Sequence, residues 1–242
     1  MKMSEPTHET HNQHISQQFN QNLSELRNHF LAMGGLVQRQ ITDSVDALLN
    51  SDTSLAESVA ATEKSVDEME RMIDEECTQI IARRQPAASD LRLVISTVKM
   101  ISDLERIGDE AAKIAKMAIK LSDGGKAPRG YIEVRHISQR VTQMVSGSLD
   151  AFARLDANMA LGIIREDSSV DAEYGSAIRS LMTFMMEDPR SISQVHNVLW
   201  VLRALERIGD HAANVAEYVI FMVKGEDVRH MKIAEAEQLI SE

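Results

Sequence analysis

The chain has 242 residues, a formal net charge of −11 and a single cysteine, Cys77. Aromatic residues make up only 4% of it, while 14 Met join Ala, Leu, Ile and Val in carrying the apolar content, a composition that favours helix over strand. The charge opposes binding to nucleic acid or to anionic lipid, and one thiol excludes an intrachain disulfide and a cysteine-based zinc site.

Residues Met1 to His14 are polar and lack the apolar segment of a signal peptide, so a disordered tail ahead of a cytoplasmic body is expected. His8, His11 and His14 recur in that tail at every third position, which a polar tail explains without a metal. The first helix is predicted from about Ile15 to Leu49, ending at Asn50-Ser51-Asp52-Thr53. A second runs from Ser54 to Arg84 and closes at Gln85-Pro86. A third starts at the capping residues Ser89-Asp90 and ends near Leu121, before Ser122-Asp123-Gly124-Gly125. After a linker at 125–130 containing Pro128 and Gly130, three more helices are predicted over Tyr131–Leu155, Ala157–Glu187 and Ile192–Lys224, with Pro189 breaking the last two. Within the remaining 225–242, Val228 to Ile240 reads as a short amphipathic helix that docks on the body or on a second subunit. Nowhere do 18 apolar residues run together, so no membrane span is expected.

The second three helices repeat the first. Leu104-Glu105-Arg106-Ile107-Gly108-Asp109 recurs 101 residues later as Leu205-Glu206-Arg207-Ile208-Gly209-Asp210. Ala-Ala follows in both copies, at Ala111-Ala112 and Ala212-Ala213, and Ser65-Val66-Asp67 recurs as Ser169-Val170-Asp171. An internal duplication follows. Leu91, Val94, Val98, Ile101 and Leu104 form one apolar stripe at helical spacing, as do Ile192, Val195, Leu199, Leu202 and Leu205. The fold class is therefore all-α: two tandem three-helix bundles, 15–124 and 131–224. A glycine at 108 and at 209, inside helices where it costs about 1 kcal/mol relative to alanine, implies close approach of another backbone or of a bound group.

Each copy places acids on its apolar stripe. Glu105 and Asp109 lie one turn apart on the core-facing side, and Glu206 and Asp210 repeat them. The second and fifth helices carry matching pairs, Glu63 with Asp67 and Asp167 with Asp171. Glu70 and Asp74 have Tyr174 and Ile178 as counterparts and read as ordinary solvated charge. Like charges one turn apart destabilise a helix by roughly 0.2–0.5 kcal/mol, so something must compensate. Hard oxygen ligands would suit Mg, Mn, Ca or iron-type ions. Lys113 could instead reach Asp109, while Arg106 and Arg207 are set to point toward other helices. A metal site and a salt-bridged acidic face both stand at this point.

Other signals are weaker. Cys77 is in phase with Val59, Val66 and Ile73 and reads as a small core residue. Thr183-Phe184-Met185-Met186 and the other methionines are expected to fill the core. His211 has Glu110 as its counterpart and lies outside the repeated feature. No phosphate-binding loop, dinucleotide turn or nucleophile–base set is present, so catalysis is not expected. A ferritin-like carboxylate-bridged metal oxidase or storage protein is the alternative, yet neither repeated motif contains the Glu-x-x-His of that class.

With its two copies of Glu-Arg-Ile-Gly-Asp, the chain resembles the PhoU family of phosphate-specific transport regulators, from about His14 to Ile240. Further shared landmarks are Met33-Gly34-Gly35, Ala82-Arg83-Arg84-Gln85-Pro86, Ser89-Asp90-Leu91-Arg92, Phe152-Ala153-Arg154 and Val223-Lys224-Gly225-Glu226-Asp227. The resemblance implies paired three-helix bundles, homodimerisation and negative regulation of phosphate uptake and of the phosphate-starvation response. It implies an adaptor between the ATPase subunit of the phosphate ABC transporter and a sensor histidine kinase, meeting the membrane only indirectly. It further implies metal ligands at Glu63, Asp67, Glu105 and Asp109, and at Asp167, Asp171, Glu206 and Asp210, with Asp167 replacing the first Glu of its motif.

Overall fold

The computed structural model describes residues 8–122 and 131–241, with side chains from residue 17 onward. Its long elements are α1 (His8–Asn50), α2 (Thr53–Arg84), α3 (Ala88–Ser122), α4 (Tyr131–Arg154), α5 (Ala157–Glu187) and α6 (Ile192–Lys224), followed by a short α7 (Ile233–Ser241). A 3-10 turn at Pro189–Ser191 separates α5 from α6. α1 begins before the predicted Ile15, because no glycine or proline interrupts the chain between Pro6 and Gly34 and glutamine and leucine there propagate a helix. The expected tail at 1–14 is thus helical from residue 8, while residues 1–7 and the 125–130 linker lie outside the described residues.

The duplication extends to the turns. Ser51 and Leu155 both adopt left-handed backbone, at φ 55 and φ 52, and each is followed by an aspartate that caps the next helix. Asp52 accepts from the Leu55 N–H at 3.0 Å and Asp156 from the Met159 N–H at 3.0 Å. The Asp52 and Asp156 N–H groups in turn reach back to Ala47 O at 2.9 Å and Ala151 O at 3.0 Å, satisfying carbonyls that the ending helix leaves open. α6 ends on Gly225, at φ 81, where the left-handed conformation suits a residue without Cβ.

α3 and α6 are the central helices. Each packs on the two others of its own half, and the two share the most extensive contact in the fold. Ile101, Leu104, Ile107 and Ala111 of α3 and Leu202, Leu205, Ile208 and Ala212 of α6 are buried. A second seam joins α1 to α4. There Phe30 and Phe152 stack with ring centroids 4.3 Å apart, and Arg27 Nη2 donates to Ala153 O at 2.8 Å. A Cβ at Gly34 would collide with Leu149, so this glycine permits the α1–α4 crossing. α7 docks on α5 through buried Ala236 and Ile240, with Arg165 bonded to Glu237.

Two expectations about the core need correction. Ile192, placed on the apolar stripe of α6, is 49% exposed, because it lies in the first turn beyond the reach of the neighbouring helices. Met186 is 76% exposed and Met182 is exposed too, on the outer face of α5; Met33, Met100, Met144 and Met222 do fill the core.

Because the two turns use identical capping, Asp52→Ala and Asp156→Ala should each cost about 1 kcal/mol in urea unfolding. Ser51→Gly should instead stabilise by about 1 kcal/mol, as it removes the left-handed strain at an exposed position.

Candidate metal centre

Helical spacing fixes which acids can meet. Glu206 and Asp210 stand one turn apart on α6, Asp167 and Asp171 likewise on α5, and these two helices pack together. Asp171, Glu206 and Asp210 each present a carboxylate oxygen, and these oxygens lie within 4.8 Å of one another. Glu206 is only 9% exposed. Its Oε1 accepts from Arg203 Nη1 at 2.7 Å, whereas its Oε2 is buried without a partner. Asp167 Oδ1 is also buried and unpartnered. It reaches the position beside Gly209, where an added Cβ would stand 3.4 Å from it.

The glycines therefore accommodate side chains, contrary to the expected backbone or bound group. Val141 and Met144 flank Gly209 as well, and a Cβ added at Gly108 would stand 3.1 Å from Gln40 Oε1 and close to Val66.

Burial pushes the Asp167 carboxyl up to about 7, and the charges of Asp210, Asp171 and Glu206 push the same way. Burial raises Glu206, with Asp210 adding to it, and raises Asp210, with Asp171 adding. Glu217, further along α6, is raised to about 7 by burial, which Arg229 opposes and Asp227, Asp103 and Asp167 reinforce. Carboxylates crowded in this way resist ionisation unless positive charge arrives. The unpartnered oxygens and the all-carboxylate donor set fit a hard cation.

The first half is built from the same motif and is neutralised differently. Arg106 Nε lies 3.4 Å from Glu105 Oε2, and Arg106 Nη1 lies 3.6 Å from Asp109 Oδ2. This corrects the expectation that Arg106 points to another helix: its exposed, flexible stem folds back over its own carboxylates. Lys116 on α3 contacts Glu63 Oε2 at 3.3 Å, and Asp67 is exposed. Glu70 is more than solvated charge, since it accepts from Ser102 Oγ at 2.9 Å and adds to the field that, after burial and Asp109, raises Glu105. Among the described residues the second half alone brings three acidic side chains within metal-binding reach.

A polar interlock between α3 and α6 escaped the sequence reading. Buried Glu110 accepts from Lys113 Nζ at 2.9 Å, so Lys113 serves Glu110 and not Asp109. Arg207 Nε from α6 sits 2.9 Å from the same Glu110 oxygen, an ion pair without hydrogen-bond alignment. Asp103 Oδ1 meets His211 Nδ1 at 2.8 Å and Asn214 Nδ2 at 3.0 Å. The available signal was departure from the repeat, for Asp103, Glu110 and Lys113 have Ala204, His211 and Asn214 as counterparts. His211 is thereby held by Asp103, and among the described residues no histidine joins the carboxylate cluster as a ferritin-like centre would need. Cys77 is buried, and burial pushes its thiol up to about 12, which suits a core residue and not a nucleophile.

A PhoU domain matches the chain twice, over residues 30–118 and 134–219. The chain is 60% identical over 218 residues to the phosphate-specific transport system accessory protein PhoU homolog of Pseudomonas putida, covering 90% of this chain and 85% of the relative. It is 44% identical over 230 residues to the phosphate-specific transport system accessory protein PhoU of Escherichia coli strain K12, covering 95% of each. Among solved structures, PhoU from Pseudomonas aeruginosa superposes with a TM-score of 0.84 at 57% identity, covering 86% of this chain and 100% of the other. The phosphate transport system regulatory protein PhoU from Streptococcus pneumoniae does so at 0.81 and 30%, covering 87% and 99%.

A folded carboxyl raised to about 7 binds its proton more tightly than the unfolded chain does. Its contribution is greatest below about pH 4 and is lost as the pH climbs from there through 7. Thermal melts in chelator should accordingly show falling stability between about pH 5 and 8. Asp167→Asn should flatten that slope and stabilise the protein at pH 8 by about 1 kcal/mol, a figure reduced for the solvent that still reaches the group.

Proposed function

Because the chain belongs to the PhoU family, we propose that it is a cytoplasmic, homodimeric accessory of phosphate transport that restrains uptake and the phosphate-starvation response. It acts as an adaptor between the ATPase subunit of a phosphate ABC transporter and a phosphate-responsive sensor histidine kinase, and performs no chemistry itself. The observation that carries this reading is the pair of Glu-Arg-Ile-Gly-Asp motifs, each turned into its own bundle, in a chain that shares nearly its whole length with phosphate-specific transport accessory proteins.

The physical form supports an adaptor. α1 spans 43 residues, about 65 Å, and α3 and α6 are nearly as long, so rigid faces extend the length of the body. Met182, Met186, Ile192 and Trp200 are exposed apolar side chains on α5 and α6, of the kind protein contacts use. Among the described residues no helix is long and apolar enough to cross a membrane, so contact with the transporter is through protein surfaces.

A divalent or iron-type cation would be held by Asp171, Glu206 and Asp210, with Asp167 behind them, and would supply the positive charge these acids lack. The chain's own part is to aim the oxygens, keep Glu206 Oε2 dry and hold Arg203 on Oε1. The role is electrostatic: it ties α5 to α6.

Deletion of the gene should leave phosphate-starvation genes expressed at high phosphate, measured by a promoter reporter. Unchanged repression would overturn the regulatory reading. Purified chain should bind both the transporter ATPase and the kinase cytoplasmic region in pull-downs, and loss of either contact should relieve repression.

A further inference from the structure

Duplication places two equivalent sets of residues along the α3–α6 seam. Among the described residues the chain covers one set with its own C-terminal segment and leaves the other open. We propose that the open one, a cleft walled by Trp200 and Met117 with Lys113, Arg203 and Arg207 on its rim, is a docking site for an acidic segment of a partner protein that carries one bulky apolar side chain. This rests on the adaptor reading given above and names the surface through which a partner is held.

The open cleft encloses about 230 Å³ between α3 and α6. Glu110, Lys113 and Met117 give it one stripe of α3, and Trp200, Ala204 and Arg207 give it one stripe of α6, each at helical spacing. Ala204 is buried, and its short side chain leaves the space between the two stripes unfilled. Trp200 is 57% exposed, and its Nε1 donates to His196 Nε2 at 3.0 Å. With its N–H satisfied, the indole has only apolar surface left to offer. The cations on the rim are held before anything binds. Glu110 takes Lys113 and Arg207, both at 2.9 Å, and Glu206 takes Arg203 at 2.7 Å. One carboxylate shared by two cations leaves the rim a positive excess. On a chain of net charge −11, that excess steers an acidic partner here and away from the rest of the surface.

The covered copy shows what such a cleft takes. Trp200, Ala204, Lys113 and Met117 have Lys99, Asp103, Asn214 and Tyr218 as counterparts. There Asp103 bonds across the seam to His211 and Asn214, filling the place that Ala204 leaves empty. Lys99 Nζ stands 5.5 Å from the centre of the Tyr218 ring, and Arg229, from the segment after α6, also lies over that ring at 5.5 Å. Arg229 is braced by Asp227 at 2.8 Å, and Val228 between them is buried. The chain thus closes one copy with a short segment that buries one apolar residue between charged ones. In the open copy the rim is cationic, so a segment of the same design must bring carboxylates. A volume of 230 Å³ is below the roughly 300 Å³ at which pockets for whole small molecules begin, and it suits a single large side chain. Tryptophan, arginine and methionine are also the types enriched where proteins meet.

Trp200 is the chain's single tryptophan, so its emission reports on this cleft directly. The probe is a capped synthetic peptide with one leucine between two pairs of acidic residues, titrated into the full chain. It should shift Trp200 emission saturably with a Kd below about 1 mM. The same peptide with serine for leucine, or with lysines for its acids, should leave the emission unchanged. Lys113→Glu and Met117→Glu should each weaken the peptide at least about tenfold, because each sets a carboxylate against its acids. Lys113→Arg should bind as wild type does. Lys64→Glu, at an exposed site on α2 with the same change in net charge, should stay within about twofold. The peptide should also displace the purified transporter ATPase or the kinase cytoplasmic region, and Lys113→Glu should release that same partner. Emission unmoved by the peptide, equal weakening by Lys64→Glu, or a tighter response to ATP or inorganic phosphate would overturn the proposal. So would emission that changes on dilution of the chain alone, the mark of a second copy in the cleft. If both partners bind and neither the peptide nor Lys113→Glu disturbs them, this surface is wrong and the adaptor reading stands. If neither partner binds wild type, the adaptor reading fails and the peptide titration decides the cleft. Circular dichroism checks each fold; should Lys113→Glu not fold, Met117→Glu decides.

Discussion

α3 and α6 are each the inner helix of a three-helix bundle and also each other's principal partner. That double duty constrains every other element. One face of each helix is given to the two shorter-range neighbours and another to the opposite half, so little of either helix is left for solvent. Polar groups on the shared face must then be matched across it, and they are: Glu110 with Arg207, and Asp103 with His211 and Asn214. An arginine recruited into that match is no longer available to its own carboxylates. The electrostatics of the acidic motif therefore depend on how the halves are joined, not only on the motif.

The duplication explains both the regularity of the fold and its useful irregularity. Equivalent turns use the same device, a left-handed residue followed by an aspartate cap, at Ser51-Asp52 and Leu155-Asp156. Equivalent glycines leave room for side chains from neighbouring helices, Gln40 and Val66 in one half, Asp167 in the other. The two copies diverge instead at polar positions beside the motif. Lys116 has Glu217 as its counterpart, and Ser102 has Arg203.

The same carboxylates bear on how an accessory protein of phosphate transport responds to its surroundings. Burial and mutual repulsion raise the Asp167, Glu206 and Asp210 carboxyls, Asp167 to about 7, so the packing of α5 on α6 depends on the charge in their surroundings. The apolar surface around Trp200, Met182, Met186 and Ile192 belongs to these same two helices.

Much of the fold was legible in the residues. Six long helices, the breaks at Asn50–Thr53, Pro86 and Pro189, the repeat, and the inward face carrying Glu105 and Glu206 all follow from periodicity and from residues that cannot continue a helix. Helical spacing sets the direction in which each Cβ leaves the backbone, and that was enough to put Glu105 and Glu206 on the inward side. It does not set where a long side chain ends. Arg106 and Arg207 share a motif and a direction of departure, yet one folds home and the other crosses the interface. Whether Lys116 reaches Glu63, whether His211 turns to Asp103, and whether Glu206 keeps an oxygen unpaired were decided by which groups the neighbouring helices present within reach. Such pairings are short-range and three-dimensional, and a chain read in one dimension does not contain them.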